Sequence, residues 1–148
     1  MGRKKLRLLV AVDFSPEALN ALRVARDLAS RMGGTLTVAH VRPLANARAA
    51  VVEERGDLLR APARTLKDTI AAHYEERLRS VVRADAGESF RLLRGKPSLE
   101  LCREARRGYD LLVMGSRGRG RVAASLLGST VQEVLARPPV PVVVVRSG

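Results

Sequence analysis

Five short apolar runs, separated by stretches with helical periodicity, limit what this chain can fold into more than any other feature of its sequence. In the first and fourth of these runs the apolar residues are nearly continuous rather than alternating, which is typical of strands covered on both faces. We therefore predict an α/β fold, with a five-stranded, mainly parallel open sheet and helices on both of its faces. The predicted strands are Leu6–Val12, Thr35–Val41, Phe90–Leu93, Asp110–Met114 and Val140–Val145.

Local signals set the boundaries of the helices between the strands. Ser15, Pro16 and Glu17 predict a helix start, as a capping side chain, a proline at the first helical position and an acid in the first turn. Residues 43–61 show no clear period, and we interpret them as a long connection. The predicted helices are Pro16–Met32, Ala63–Val82, a third that runs from Pro97 to near Gly108, and Ser129–Ala136.

Length and composition exclude several classes of protein. The chain has 148 residues, so we expect a single domain over residues 1–148. Hydrophobic residues make up 46% of it and aromatic residues 3%, which predicts an aliphatic core. The single cysteine, Cys102, cannot form an internal disulfide, and no Cys/His cluster has zinc spacing. No apolar run has the length of a signal peptide or a membrane span, so we expect a cytoplasmic protein.

The formal net charge is +12, a value that invites an interpretation as a nucleic-acid binder. The arginines that produce this charge are spread over the predicted helices and the chain ends. Proteins that bind single strands stack bases on aromatic side chains, and this chain has very few of them. We therefore predict no specific nucleic-acid partner.

A glycine-rich loop follows the fourth predicted strand. It reads Gly115-Ser116-Arg117-Gly118, then nine residues, then Gly128-Ser129-Thr130 at the start of the last predicted helix. Ligands of open α/β sheets bind beyond the carboxyl ends of the strands, and a helix N-terminus with free N–H groups attracts anions. Ser129 is expected to cap the helix, and Arg117, Arg119 and Arg121 add positive charge. The loop fits a phosphate chain; the alternative is a flexible Gly-Arg surface loop.

These residues resemble a known family. The pattern Gly-x-x-Gly, nine residues, Gly-Ser/Thr is similar to the nucleotide-binding signature of universal stress protein domains. The segments Val10–Ser15, His40–Val41, Asp110–Gly118 and Pro139–Val145 also resemble that family in order and spacing. The resemblance implies an adenine nucleotide alpha hydrolase-like fold with strand order 3-2-1-4-5. It also implies that the first and fourth strands lie side by side and flank the ligand.

The resemblance assigns candidate roles to particular residues. Asp13 would meet the ribose or phosphates, although an acid at this position is also a common turn or cap residue, a role that Ser15 could share. Val41 would offer backbone groups to adenine. The full set of expected nucleotide-binding residues is Asp13, Ser15, Val41, Met114, Gly115, Arg117, Gly118, Gly128, Ser129 and Thr130. The expected ligand is ATP, with or without Mg²⁺; no resident metal site and no catalytic residue are predicted.

The resemblance implies a nucleotide-dependent regulatory protein of the stress response. The alternative is an enzyme that uses the same pocket for slow ATP hydrolysis or for nucleotidyl or phosphoryl transfer, with Asp13 as its one obvious acid. The last strand, Val142–Val145, would lie at an edge of the sheet, where apolar strands invite pairing. The resemblance suggests antiparallel pairing with a second copy in a homodimer; the alternative is an edge covered by the tail residue Arg146.

Overall fold

The computed structural model describes residue 2 and residues 4–42, 63–118 and 126–146, with residues 63–67 described by their backbone alone. The predicted connection at residues 43–61 lies outside the described residues. Five strands and four α-helices alternate within the described ranges. The strands are β1 (Arg7–Ala11), β2 (Thr35–Arg42), β3 (Ser89–Arg94), β4 (Leu111–Gly115) and β5 (Val142–Val145). The helices are α1 (Pro16–Met32), α2 (Ala63–Val81), α3 (Pro97–Ala105) and α4 (Ser129–Ala136).

The five strands form one sheet in the order β3-β2-β1-β4-β5, and all neighbouring pairs are parallel. The predicted α/β class and strand order are therefore confirmed. Val10 at the centre of β1 lies between Val38 of β2 and Val113 of β4. On one side of β1 the chain adds β2 and then β3, and on the other side it adds β4 and then β5. The direction of winding thus reverses between β1 and β4, where such sheets bind ligands.

Alternate residues of each strand build two separate core layers. Leu8 and Val10 face a layer that includes side chains of α1 and α2, and both are fully buried. Leu9 and Leu112 are also fully buried but face the opposite layer, which includes side chains of α3 and α4. Helices therefore cover both faces of the sheet, which explains the nearly continuous apolar runs of β1, β4 and β5.

Most element boundaries differ from the prediction by one to three residues. β5 begins at Val142 rather than Val140, since Pro141 lacks an N–H, although its carbonyl oxygen accepts a hydrogen bond from Leu112 N at 3.0 Å. α3 ends at Ala105 rather than near Gly108, because the chain then enters a tighter turn. No helix in the described part of the chain is long and apolar enough to cross a membrane.

Candidate functional site

The turn after β1 places Asp13 at the point where the winding of the sheet reverses. Asp13 Oδ1 accepts hydrogen bonds from Ser15 N at 3.0 Å and from Ser15 Oγ at 2.5 Å. Ser15 Oγ in turn accepts a hydrogen bond from Ala18 N at 3.2 Å and so caps α1, as predicted. The turn role considered for Asp13 is therefore present in the structure, and it fixes the direction in which the carboxylate points.

Phe14 is a residue that sequence reasoning missed. It adopts φ +63°, a left-handed conformation that is unusual for a residue with a bulky side chain. Its ring lies 4.9 Å from the ring of His40 of β2, and the guanidinium carbon of Arg77 of α2 lies 4.2 Å above it. These contacts anchor the turn that presents Asp13. No local pattern in the sequence signals the left-handed backbone at this position.

Gly118 lies against Oδ2 of the Asp13 carboxylate. A Cβ atom at this position would overlap with Asp13 Oδ2, well inside their van der Waals contact distance, because the loop after β4 approaches the turn after β1 closely. Oδ1 is engaged by Ser15, so the carboxylate cannot rotate away without losing those hydrogen bonds. Asp13, after β1, and Gly118, after β4, therefore lie next to each other, whereas the resemblance implied that Asp13 and Gly115 would face each other across the crevice.

Gly115 has a packing role at the end of β4. A Cβ atom here would lie 3.1 Å from the carbonyl carbon and oxygen of Glu17 and 3.3 Å from Ala18 N. The first turn of α1 can therefore approach β4 only because position 115 lacks a side chain. A contact between Gly115 and a ligand stays a prediction.

Gly128 brings the start of α4 next to Gly118. Gly128 N donates to Ser116 O at 2.8 Å, and Ser116 N donates to Val145 O at 2.8 Å, so both ends of the loop are tied to the edge of the sheet. A Cβ atom at Gly128 would lie 3.6 Å from Gly118 N, an ordinary contact distance. Ser116, buried at this junction, was not among the predicted site residues, although it lies within the glycine pattern.

The prediction that Ser129 caps α4 is wrong. Gly128 is the N-cap residue, with the extended backbone (φ −67°, ψ 160°) that an N-cap needs, and no side chain caps the helix. Ser129 is instead the first helical residue and is exposed, while Thr130 is half-buried. The N-terminal N–H groups of α4 thus lack a side-chain cap at the end where the loop returns to Gly118.

Val41 and Met114 lie in one core layer, on the side of the sheet that α3 and α4 cover. Their side chains are 8% and 3% exposed, so they are packed in the core beneath the surface of the protein. His40 is buried, as expected for a strand histidine, with Nδ1 2.7 Å from the carbonyl oxygen of Val12. Val12 N also donates to Ala39 O, so β1 and β2 stay paired up to the residue before Asp13.

The remaining candidate cations divide into two groups. Arg117 is half-buried beside Gly118 and Gly128. Arg119 and Arg121 lie outside the described residues.

In the part of the chain that the structure describes, no three His, Cys, Asp or Glu side chains form a group that could bind a metal ion.

A network of charged groups ties α3 to α4 behind the crevice. Glu133 Oε2 of α4 accepts from Lys96 Nζ at 2.6 Å and from Ser98 Oγ at 2.6 Å. Hydrogen bonds from Lys96, and then from Ser98, lower the pKa of Glu133 below its ordinary value. Glu133 therefore holds α4 to the start of α3.

Comparison with known proteins agrees with this architecture. The model of the universal stress protein family matches residues 6–146. The "universal stress protein in QAH/OAS sulfhydrylase 3′ region" of Thermus aquaticus is 33% identical over 145 residues, which cover 94% of this chain and 97% of that protein. The universal stress protein UspA from Lactobacillus plantarum superposes with a TM-score of 0.74 at 25% identity, over 98% of this chain and 100% of that one.

A third relative is a universal stress protein whose crystal structure was solved in complex with cAMP. It superposes with a TM-score of 0.60 at 23% identity, and the match covers 97% of this chain and 98% of that one. At this identity the likeness concerns the fold, a parallel α/β sheet of the same kind. The family model and the Thermus aquaticus relative carry the assignment further: this chain belongs to the universal stress protein family.

Proposed function

We propose that this universal stress protein is of the ATP-binding type and acts as a homodimeric, nucleotide-dependent switch in the stress response. The observation that carries the proposal is the meeting of Asp13 and Gly118 across the point where the winding reverses, with the first turn of α4 directly beside them. One crevice then combines three features: an acid for ribose hydroxyls, glycines that let a ligand reach the backbone, and a helix N-terminus for phosphates.

The ligand would enter with its adenine toward β2 and its phosphates toward α4. Val41 would supply backbone groups to adenine, while Met114 and Gly115 would form the floor beneath the base and ribose. Gly118, Gly128 and Arg117 would line the phosphates. The hydroxyl and N–H groups of Ser129 and Thr130 are donors at the positive end of the α4 dipole, which suits an anion.

Two further observations support a nucleotide as ligand. A universal stress protein of the same fold has been crystallised with cAMP, which is an adenine nucleotide. The crevice also offers Asp13 as a carboxylate close to the expected phosphates, and Mg²⁺ in nucleotide sites is commonly bound by one or two carboxylates together with phosphate oxygens. We therefore expect Asp13 to contribute to any Mg²⁺ that accompanies ATP.

The same geometry favours binding over turnover. Asp13 is the acid nearest the expected phosphates, and its Oδ1 already accepts two hydrogen bonds from Ser15. A carboxylate engaged in this way is suited to orienting a ligand rather than to taking a proton from water.

The homodimer would form at β5, an edge strand of the described sheet. The carbonyl oxygens of Pro141 and Val145 accept hydrogen bonds from β4 and from the residue directly after it, so the alternating backbone groups of Val142 and Val144 point away from β4. Those outward groups are available for antiparallel pairing with a second copy of the strand.

A titration of ATP in the presence of Mg²⁺ tests the proposed site. Ser129→Ala removes one expected phosphate donor, and a hydrogen bond to a charged group contributes about 1.5–3 kcal/mol, so binding should weaken by at least about tenfold. Ser80→Ala, at another exposed helical serine, is the control and should bind like the unmodified chain. Equal affinities in all three proteins would refute phosphate binding at α4.

A further inference from the structure

Arg42, the last residue of β2, is a buried cation outside the crevice. It is 8% exposed. In the sheet it is the register partner of Arg94, the last residue of β3, so both side chains project to the same face at the same edge. His40 shares that face, two residues earlier in β2, and stacks on Tyr74 of α2 with ring centroids 4.9 Å apart. The two arginines therefore lie on the side of the sheet that α2 covers.

No carboxylate among residues 4–42, 68–118 and 126–146 forms an ion pair with Arg42 or Arg94. The carboxylates near β3 are already paired with other arginines: Glu88 with Arg26, Glu104 with Arg91, and Glu100 with Arg103. Burial, and then the nearby charge of Arg94, lower the pKa of Arg42, whereas Tyr74 acts to raise it. Among the described residues, Arg42 is thus a buried guanidinium beside a second cation with no paired anion, an unfavourable arrangement that a bound anion would relieve.

We propose that Arg42 and Arg94 form a second anion site, which binds the dianionic phosphoryl group of a small molecule. Two guanidinium groups present planar forks of donors that match phosphate oxygens. A dianion compensates both charges, whereas a carboxylate compensates only one. Tyr74 of α2 is buried on the same face, stacks on His40 two residues before Arg42, and carries a hydroxyl group that can donate a hydrogen bond.

This second site is distinct from the proposed nucleotide crevice. Val41 packs in the core layer under α3 and α4, and Arg42, the next residue of a strand, points to the opposite face. Arg77 of α2 borders the same face as Arg42, through its contact with Phe14, which itself contacts His40.

Calorimetric titration with inorganic phosphate, at constant ionic strength in chloride, tests the second site. Arg42→Met and Arg94→Met keep much of the apolar stem and remove the guanidinium, and each should weaken phosphate binding by at least about tenfold. Arg106→Met removes the same charge from an exposed position after α3 and should leave the affinity unchanged. If Arg42→Met does not fold, Arg94→Met carries the test, since Arg94 is exposed.

The outcomes separate this site from the crevice and identify the source of the phosphate. The proposal would be overturned if all three arginine variants bound phosphate with the affinity of the unmodified chain. So would phosphate binding that persists without Arg42 and Arg94 but disappears in Ser129→Ala, because the ion would then lie at α4. A second titration uses methyl phosphate: binding like that of phosphate assigns the site to phosphate esters, binding of phosphate alone assigns it to the free ion, and binding of neither contradicts the proposal.

Discussion

Asp13 connects the turn after β1 to the loop after β4, and its two carboxylate oxygens have different neighbours. Oδ1 accepts hydrogen bonds from Ser15, whereas Oδ2 faces Gly118. The sequence left a turn role and a ligand role for Asp13 as alternatives. The structure contains the turn role and places Oδ2 of the same carboxylate beside Gly118; the ligand role stays a prediction.

Gly118→Ala tests this contact directly. The added Cβ has no space beside Asp13 Oδ2, and overpacking a rigid contact costs about 1–3 kcal/mol of unfolding free energy. Denaturant unfolding of the variant should show that loss. In an Asp13→Ala background the same substitution should cost almost nothing, because the obstructing carboxylate is gone. An equal cost in both backgrounds would show that Asp13 and Gly118 do not interact.

Glu88 directly precedes β3 and pairs with Arg26 of α1, close to the end of α2. The ionisation of this carboxyl group should make the stability of the fold depend on pH. Its Oε1 and Oε2 lie 2.7 and 2.9 Å from Arg26 Nε and Nη2, and Arg26 also donates to the carbonyl oxygen of Val81. Burial acts to raise the pKa of Glu88, but the hydrogen bonds from Arg26 and from Arg83 N outweigh it, so the pKa is lowered.

A lowered carboxyl pKa stabilises the fold above the pKa of the unfolded chain, and this stabilisation is lost as the pH falls through the folded value. Glu88→Gln should therefore reduce the unfolding free energy at pH 7 by about 1–3 kcal/mol. The difference from the unmodified chain should shrink as the pH is lowered toward about 3. Urea unfolding at several pH values measures this. A difference that stays constant over the whole range would contradict the role of Glu88.

At the scale of the elements, local sequence signals predicted one helix start and misplaced the cap of another. Ser15 caps α1 as its neighbours Pro16 and Glu17 indicated. At α4 the equivalent serine, Ser129, lies one position inside the helix, because the backbone of Gly128 takes the extended conformation that the cap requires. Glycine and serine are both good N-cap residues, so the sequence Gly128-Ser129 does not determine which of them serves.

The edge strand β5 provides a test of the proposed homodimer. Val144→Pro removes an N–H that points away from β4, so the sheet of one copy should survive while antiparallel pairing between copies loses a hydrogen bond. Light scattering after size exclusion should give a dimer for the unmodified chain and for Val144→Ala, but a monomer for Val144→Pro. A monomer for the unmodified chain at micromolar concentration would contradict the dimer.

At the scale of the whole molecule, the sheet could be predicted because burial on both faces imposes apolar runs that are visible in one sequence. The strand order came from the family resemblance, and the structure confirms it. The packing of Gly115 on the first turn of α1, and of Gly118 on Asp13, could not be predicted. Both depend on how closely the segments that follow β1 approach the end of β4 and the loop after it, which is a tertiary property.

The net charge of +12 also has a clearer meaning at this scale. Several arginines pair with carboxylates, as Arg26, Arg91 and Arg103 do. Arg42 and Arg94 lie together without such a pair in the described part of the chain, which the sequence did not suggest because they are 52 positions apart and meet only through the register of β2 and β3.

The central claim is that ATP binds in the crevice between β1 and β4. Backbone amide NMR during titration with ATP and Mg²⁺ tests it most directly, because each amide reports its own position. We predict the largest shifts at the amides of Val41, Gly118, Gly128, Ser129 and Thr130, with small changes along α2. A titration that leaves these five amides unshifted, or that shifts only amides distant from the carboxyl ends of β1 and β4, would contradict the account.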